Sequence, residues 1–140
     1  MDSTFDQIVA RLRGLPGLRF VALFGSAASG RATARSDLDI AVSVGHDGRP
    51  SFDEQLTLSA SLSGIAGRDV DLVVVEEAST ILRRQIALQG RALWEREHGN
   101  FIRFQASAAF EYEDFAPVFR VCRDGFLAAL MRKGDVHARR

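Results

Sequence analysis

Two aspartates stand at alternate positions at the start of an apolar run, in the sequence DLDIAVSV of residues 37–44. Residues i and i+2 of a β-strand share one face, which places the Cα atoms of Asp37 and Asp39 roughly 6.6 Å apart. Two ionised carboxylates this close repel each other, and burying them without partners is unfavourable. Either each carboxylate caps a turn or meets an arginine such as Arg31 or Arg35, or the pair holds a divalent cation.

Asp71 is a third carboxylate in a similar setting. It lies inside RDVDLVVV, residues 68–75, where an unpaired charge is out of place in the interior of a sheet. If this run and residues 37–44 form neighbouring strands, Asp71 joins the same cluster; if it forms an edge strand, Asp71 faces solvent. Because Mg²⁺ is held by one or two carboxylates together with waters and substrate phosphates, a cluster would suit metal-dependent phosphate chemistry.

The dipeptide Gly25-Ser26 ends the preceding apolar run, LRFVALF of residues 18–24. Glycine permits a tight turn and a close approach of the backbone to another group. Serine can cap a following helix, and the exposed N–H groups of a helix start favour a phosphate. A Gly-Ser pair after a strand is usually only a turn, so its meaning depends on the aspartates that follow.

Helices and strands alternate along the rest of the chain and must position these residues. Helices are predicted over 4–13, from Ser51 to about Ile65, over 79–89 and from Asn100 to about Lys133. Strands are predicted over 18–24, 37–44, 68–75 and 91–95. This order predicts an α/β (α+β) fold, with a mixed sheet of about four strands flanked by helices and a C-terminal helical segment.

Two helices carry features that test this interpretation. The helix that follows Ser51 has residues at helical spacing that predict a stripe buried in the core: Phe52, Leu56, Ser59, Leu62 and Ile65. In the C-terminal helical segment, Pro117 is expected to force a kink or a break.

Composition excludes several classes of function. Eighteen basic and eighteen acidic residues give a formal net charge of zero, which argues against a broad nucleic-acid-binding surface. The single cysteine cannot form an internal disulfide. No apolar segment approaches the roughly 20 residues that cross a membrane, and the N-terminus has no secretion signal. A cytoplasmic protein with one domain over residues 1–140 is therefore expected.

Taken together, Gly25-Ser26, ten intervening residues, Asp37-x-Asp39 and then Asp71 in a later strand resemble the signature of the polymerase-β-like nucleotidyltransferase superfamily. The resemblance implies that fold, with Gly25 and Ser26 gripping a triphosphate and Asp37 and Asp39 holding divalent metals. It also implies that Asp71 completes the metal site and helps to deprotonate the attacking hydroxyl. Two metal ions roughly 3.5–4 Å apart would stabilise both the attacking oxygen and the departing pyrophosphate.

The chain has no extra domain to hold an acceptor, so it looks like a minimal nucleotidyltransferase. The segments LRRQIALQGRALWE (82–95) and AFEYEDFAPVF (109–119) resemble the minimal nucleotidyltransferase antitoxins of HEPN/MNT toxin–antitoxin pairs. That resemblance implies AMP transfer from ATP, with Mg²⁺, onto a tyrosine of a HEPN ribonuclease toxin, which silences the toxin.

The same resemblance divides the chain into three parts. Residues 1–98 would form the catalytic core, residues 99–133 C-terminal helices that offer a partner surface, and residues 134–140 a mobile tail. Aromatic residues anchor many interfaces, so Tyr112 and Phe115 are the candidate contacts with the toxin.

One departure from the family pattern leaves alternatives open. Related antitoxins commonly have arginines in the loop after Gly-Ser, whereas this chain has Ala27 and Ser29 there and carries Arg31 and Arg35 farther along. These two arginines are therefore candidate triphosphate ligands. The first alternative is an antitoxin that acts only by binding and has a weak or vestigial nucleotide site. The second is a small-molecule nucleotidyltransferase whose acceptor pocket is completed by a partner chain.

Overall fold

A computed structural model describes residues 3–30 and 36–138 of the chain. Within these ranges the strands are β1 (Leu18–Phe24), β2 (Leu38–Val44), β3 (Val70–Val74) and β4 (Arg91–Glu95). The helices are α1 (Thr4–Leu12), α2 (Phe52–Ala66), α3 (Thr80–Gln89) and α4 (Asn100–Ala138). The strands form one mixed sheet in the order β3-β2-β1-β4, which confirms the predicted fold class.

The pairing of the strands brings three chain segments together at one end of the sheet. β1 runs antiparallel to β2, with Phe24 opposite Asp39. β2 runs parallel to β3, with Asp39 opposite Asp71. The C-terminal end of β1 therefore meets the N-terminal ends of β2 and β3, and the predicted neighbourhood of the two aspartate-bearing strands is confirmed.

Helices cover both faces of the sheet, and β2 divides its side chains between two cores. The core on the side of α1 and α2 takes four alternate residues of this strand: Leu38, Ile40, Val42 and Val44. The core on the side of α3 and α4 includes Phe20, Phe24, Ala41, Phe101 and Phe104. Because side chains alternate along a strand, Asp39 lies on the α3/α4 side, as the sequence pattern predicts.

Helix α2 departs from its predicted packing. Leu58 and Leu62 are buried, but Phe52 is 72% exposed and Leu56 is 54% exposed. The helix packs against α1 and the edge strand β3, so only part of its circumference is covered. The prediction that Phe52 and Leu56 belong to the core was therefore wrong.

Helix α4 is continuous from Asn100 to Ala138 and contains Pro117, so the predicted break is absent. Proline removes one backbone hydrogen bond, and a helix of 39 residues retains its other bonds on both sides. The helix also continues past its predicted end near Lys133, as far as Ala138. Among the helices of the described ranges, none is both long and apolar enough to span a membrane.

Candidate active site

The chain turns sharply where β1 ends. Gly25 has φ +71°, a left-handed conformation that glycine adopts easily, and residues Gly25–Ala27 form a single 3-10 turn. The turn is closed by a hydrogen bond from the Ser29 backbone N–H to the Gly25 carbonyl, at 3.3 Å. The Ser29 hydroxyl also donates to the Ser26 carbonyl, at 3.1 Å. These bonds fix the backbone of the predicted phosphate-binding dipeptide.

This turn lies directly against Asp39. A Cβ atom added to Gly25 would overlap the Oδ2 atom of Asp39, so no other residue fits here unless the carboxylate moves. The two halves of the sequence signature, separated by ten residues in the chain, are therefore in contact. The requirement for glycine has two sources, the positive φ angle and the closeness of the carboxylate.

The three predicted aspartates share one end of the sheet but differ in exposure. Asp37 precedes β2 and is exposed, and Asp39 is half-buried within it. Asp71 lies opposite Asp39 on β3, which is the edge strand, and is exposed. Both interpretations of Asp71 left open by the sequence therefore hold at once, because it faces solvent from an edge strand and also neighbours Asp39.

Asp39 is the most electrostatically strained of the three. Burial raises the pKa of its carboxyl above the ordinary value of 3.8, and the negative charges of Asp71 and Asp37 raise it further. All three influences disfavour the ionised form, and no described cation or hydrogen-bond donor counts among them. A positively charged ligand would relieve this strain.

The donor set of the site suits a hard divalent cation. Among residues 3–30 and 36–138, no group of three or more His, Cys, Asp and Glu side chains is placed to hold a metal ion by itself. Mg²⁺ seldom needs such a cage, because it keeps several waters and uses one or two carboxylates with substrate phosphates. The mutual repulsion of Asp39, Asp71 and Asp37 therefore fits a cation that the substrate helps to hold.

A cleft of about 440 Å³ opens beside these carboxylates. Asp39 and Asp71 form its polar side, while Phe52 and Leu56 of α2 and Leu82 of α3 form an apolar wall. Sequence reasoning did not find Phe52 and Leu56 as cleft residues, because their helical spacing is also that of a core stripe. In the sequence, the only feature that set Phe52 and Leu56 apart was their position at the N-terminal end of this helix.

Among the other predicted site residues, none whose side chain the structure describes lines this cleft. Arg31 and Arg35 lie outside the described residues. The ring of Tyr112 is half-buried and stacks on the guanidinium of Arg84, with Cζ 4.1 Å from the ring centroid. Phe115 lies within α4, and its side chain is outside the described part of the structure.

A second cleft, of about 620 Å³, lies on the α3/α4 side toward the opposite end of the sheet. Its lining includes Arg19, Ser43, Glu76 and Arg103. The hydroxyl of Ser43 and the backbone N–H of Val44 donate to the two carboxylate oxygens of Glu76, at 2.7 and 2.8 Å. This carboxylate is thus satisfied within the fold, although the cleft around it is larger.

Comparison with known proteins identifies relatives that span most of this architecture. Residues 6–99 match the protein family described as "Polymerase beta, Nucleotidyltransferase". The protein adenylyltransferase MntA of Shewanella oneidensis is 37% identical over 90 residues, a match that covers 64% of this chain and 63% of that protein. The MntA of Aphanizomenon flos-aquae is 29% identical over 102 residues, covering 67% of this chain and 68% of that one. The match thus spans less than two thirds of the length of the first relative and 68% of the second.

Solved structures extend the likeness to the C-terminal helix. A chain from a crystal structure of a toxin–antitoxin complex with AMP-PNP superposes with a TM-score of 0.81 at 28% identity. That match covers 88% of this chain and 98% of the other. A chain from the complex of tri-AMPylated Shewanella oneidensis HEPN toxin with MNT antitoxin gives a TM-score of 0.76 at 26% identity, covering 89% and 96%.

Proposed function

The chain belongs to the polymerase β nucleotidyltransferase family, and we propose that it transfers AMP from ATP to a tyrosine of a HEPN-type ribonuclease toxin. In this role it acts as the antitoxin of that toxin. The observation that carries the proposal is the contact of the Gly25 turn with Asp39, which itself lies opposite Asp71. A phosphate-binding turn and a carboxylate pair are thereby joined in one site.

Each residue of the site has a role in this reaction. Gly25 and Ser26 bind the triphosphate, since a glycine without a side chain lets phosphate oxygens approach the backbone. Arg31 and Arg35, a few residues farther along the sequence, are proposed as further triphosphate ligands. Guanidinium groups suit this task because they offer several N–H donors in a planar fork.

The three carboxylates of the site would bind a cation. Asp37, Asp39 and Asp71 would hold Mg²⁺, which when bound neutralises phosphate charge and stabilises the departing pyrophosphate. The strain on Asp39 supports this assignment, since its unfavourable ionised form would be compensated on loading. The same strain leaves little reason for the site to persist without a cation.

The transfer itself is an in-line displacement at the α-phosphorus of ATP. The acceptor oxygen forms a bond to this phosphorus while the bond to the bridging oxygen breaks and pyrophosphate departs. Asp71 accepts the proton of the acceptor hydroxyl, a role that its exposed position on the edge strand permits. The products are the AMP ester of the acceptor, pyrophosphate and one proton.

The proposed division of the chain assigns catalysis to residues 1–98 and partner binding to the C-terminal helix. Beyond its first turns, which bury Phe101 and Phe104, α4 exposes large apolar side chains that no described element covers: Val121, Phe126, Leu127, Leu130 and Met131. A helical toxin would bury this surface. Tyr112 and Phe115, at the start of the exposed half, remain the proposed aromatic contacts.

The named relatives support this proposal. Two MntA proteins similar to this chain are protein adenylyltransferases, and the matched solved structures are toxin–antitoxin complexes. In one of them the toxin is tri-AMPylated, and another contains the ATP analogue AMP-PNP. Both the nucleotide and the acceptor proposed here are thus represented among the structural relatives.

The decisive experiment uses the product of the neighbouring gene, which the proposal predicts to be a small helical protein with an Arg-x4-His-x-Tyr segment. Incubation of the two proteins with ATP and Mg²⁺, followed by mass spectrometry, should reveal an AMP-sized mass increase on the partner. The increase should disappear with Asp71→Asn. Neutralisation of the partner without any mass change would replace this proposal with binding alone. Failure to bind or neutralise the neighbour would favour a small-molecule nucleotidyltransferase.

A further inference from the structure

The apolar wall beside the carboxylates is unusual because two of its members are highly exposed. Phe52 and Leu56 are 72% and 54% exposed, whereas Leu58 and Leu62 of the same helix are buried. Leu82 of α3 faces the same cleft. A wall of this kind, next to charged groups, is typical of a pocket that takes an apolar group carrying one polar atom.

The order of the strands indicates on which side of the α-phosphorus the apolar wall lies. Gly25 follows β1 and lies on one flank of β2, whereas Asp71 belongs to β3 on the other flank. Asp39 of β2 stands between them. The cleft reaches Phe24 at the end of β1 as well as Asp39 and Asp71, but Phe52 and Leu56 belong to α2, which packs against β3, so the apolar wall lies on the flank of Asp71.

In-line displacement then determines which substrate occupies that flank. The attacking oxygen and the departing pyrophosphate lie on opposite sides of the α-phosphorus. If the Gly25 turn holds the pyrophosphate end, the acceptor must arrive from the flank of Asp71. The nucleoside is attached to the phosphorus through an oxygen that neither attacks nor leaves, and it therefore extends away from this line.

We propose that this cleft is the acceptor pocket, and that Phe52, Leu56 and Leu82 select an aromatic hydroxyl as the acceptor. The inference rests on the proposed AMP transfer to a tyrosine and names the residues that recognise this acceptor. A phenol ring packs against the apolar wall while its oxygen reaches Asp71. A serine or threonine hydroxyl gains no comparable contact with the wall, so the pocket discriminates against it.

The test measures kinetics with Phe52→Ala and Leu56→Ala, which should fold normally because both side chains are largely exposed. Each variant should raise the KM for the partner protein about tenfold, in line with the loss of a buried apolar contact. The KM for ATP and the Kd for AMP-PNP should stay within about twofold of wild type. Leu88→Ala is the matched control, because Leu88 is 66% exposed and lies outside the cleft.

Two results would overturn the inference. A rise in the Kd for AMP-PNP with an unchanged KM for the partner would assign the wall to the nucleoside. No change in either constant would remove the wall from the site. If wild-type protein transfers no AMP at all, the proposed function itself fails, which is a different outcome.

A second measurement tests the choice of an aromatic acceptor directly. The acceptor tyrosine of the partner is replaced by serine, and the rate of AMP transfer is compared with that to the unaltered partner. We expect a loss of at least about 100-fold with the wild-type enzyme, and a smaller discrimination with Phe52→Ala. Equal modification of serine and tyrosine would contradict selection by the wall.

Discussion

Asp39 and Glu76 are both partly buried carboxylates on the α3/α4 side of the sheet, and they are held in opposite ways. Glu76 receives hydrogen bonds from Ser43 and from the backbone of Val44, so its charge is compensated within the fold. Asp39 meets burial and two like charges, all of which raise the pKa of its carboxyl. Glu76 therefore stabilises the fold, whereas the ionised form of Asp39 destabilises it.

The difference shows why cleft size is a poor guide to function in this protein. The larger cleft, about 620 Å³, surrounds the satisfied Glu76. The smaller one, about 440 Å³, contains the strained Asp39. None of the causes that act on Asp39 from the described residues is a countercharge, and this suits a site whose ligand supplies one.

The largest expected effect is on the rate of AMP transfer. It is tested by replacing Asp39 and Glu76, one at a time, with the amide of the same shape, which removes the charge. Asp39→Asn should lower the rate of AMP transfer by at least about 1,000-fold, since charge stabilisation at the phosphate contributes several kcal/mol. Glu76→Gln should leave the rate per folded molecule within about twofold. Both rates are measured from the mass increase of the partner at saturating ATP. Equal losses in the two variants would end the distinction between the carboxylates.

The contact between the turn and Asp39 gives the next largest effect. Gly25→Ala strains a residue with φ +71° and forces its Cβ into Asp39, so AMP transfer should fall up to about 100-fold. Gly67→Ala is the matched control, because Gly67 has φ +70° and nothing within 4 Å of its added Cβ. Both variants should lose about 1 kcal/mol from backbone strain. A similar loss of activity in Gly67→Ala would show that strain alone, and not contact with Asp39, is responsible.

Much of the fold and the centre of the site could be predicted from the sequence. The alternation of DLDIAVSV places Asp39 on one face of a strand, and a local pattern of this kind needs no knowledge of the neighbours. The contact of Gly25 with Asp39 could be expected only through the resemblance to a family, because thirteen residues separate them and no local pattern determines their distance.

The α2 stripe shows the limit of such reasoning. Phe52, Leu56 and Leu62 share one helical periodicity, yet only Leu62 is buried. Periodicity indicates which residues share a face of a helix, but it does not indicate how far the neighbouring elements extend along that face. Helix α2 packs against α1 and the edge strand β3, which cover only part of its circumference, and the edge position of β3 follows from the strand order, which the sequence does not display.

The third prediction concerns the stability that Glu76 provides. Glu76→Ala leaves the Val44 N–H and the Ser43 hydroxyl without their acceptor, which should lower the free energy of unfolding by about 1–3 kcal/mol. Glu76→Gln should restore most of this loss, because the amide oxygen accepts from Val44 and Ser43 can accept from the amide nitrogen. Urea denaturation of the two variants measures the difference. A Gln variant as unstable as the Ala variant would mean that the charge of Glu76, and not its hydrogen bonds, is what matters.

The smallest expected effect is the gain in stability when the charge of Asp39 is removed. Because the pKa of its carboxyl is raised above 3.8 in the folded state, the folded protein binds the proton more tightly than the unfolded chain does. The contribution of the Asp39 carboxyl to the free energy of unfolding is therefore fully favourable below pH 3.8, and it is lost as the pH rises through the folded-state pKa. At pH 7 and without divalent cations, Asp39→Asn should accordingly have a higher Tm than wild type, and the difference should vanish below pH 3.8.

The charge of Asp71 provides the control for this last prediction. In an Asp71→Asn background, one of the two repelling charges is absent, so the rise in Tm caused by Asp39→Asn at pH 7 should be smaller. Burial remains in that background and should preserve part of the effect, since it is the largest cause of the raised pKa. If Asp39→Asn instead lowers the Tm at pH 7, the ionised carboxylate is stabilising, and the contrast with Glu76 would be wrong. Thermal unfolding of the four proteins at pH 7 decides between these outcomes and isolates the repulsion between Asp39 and Asp71.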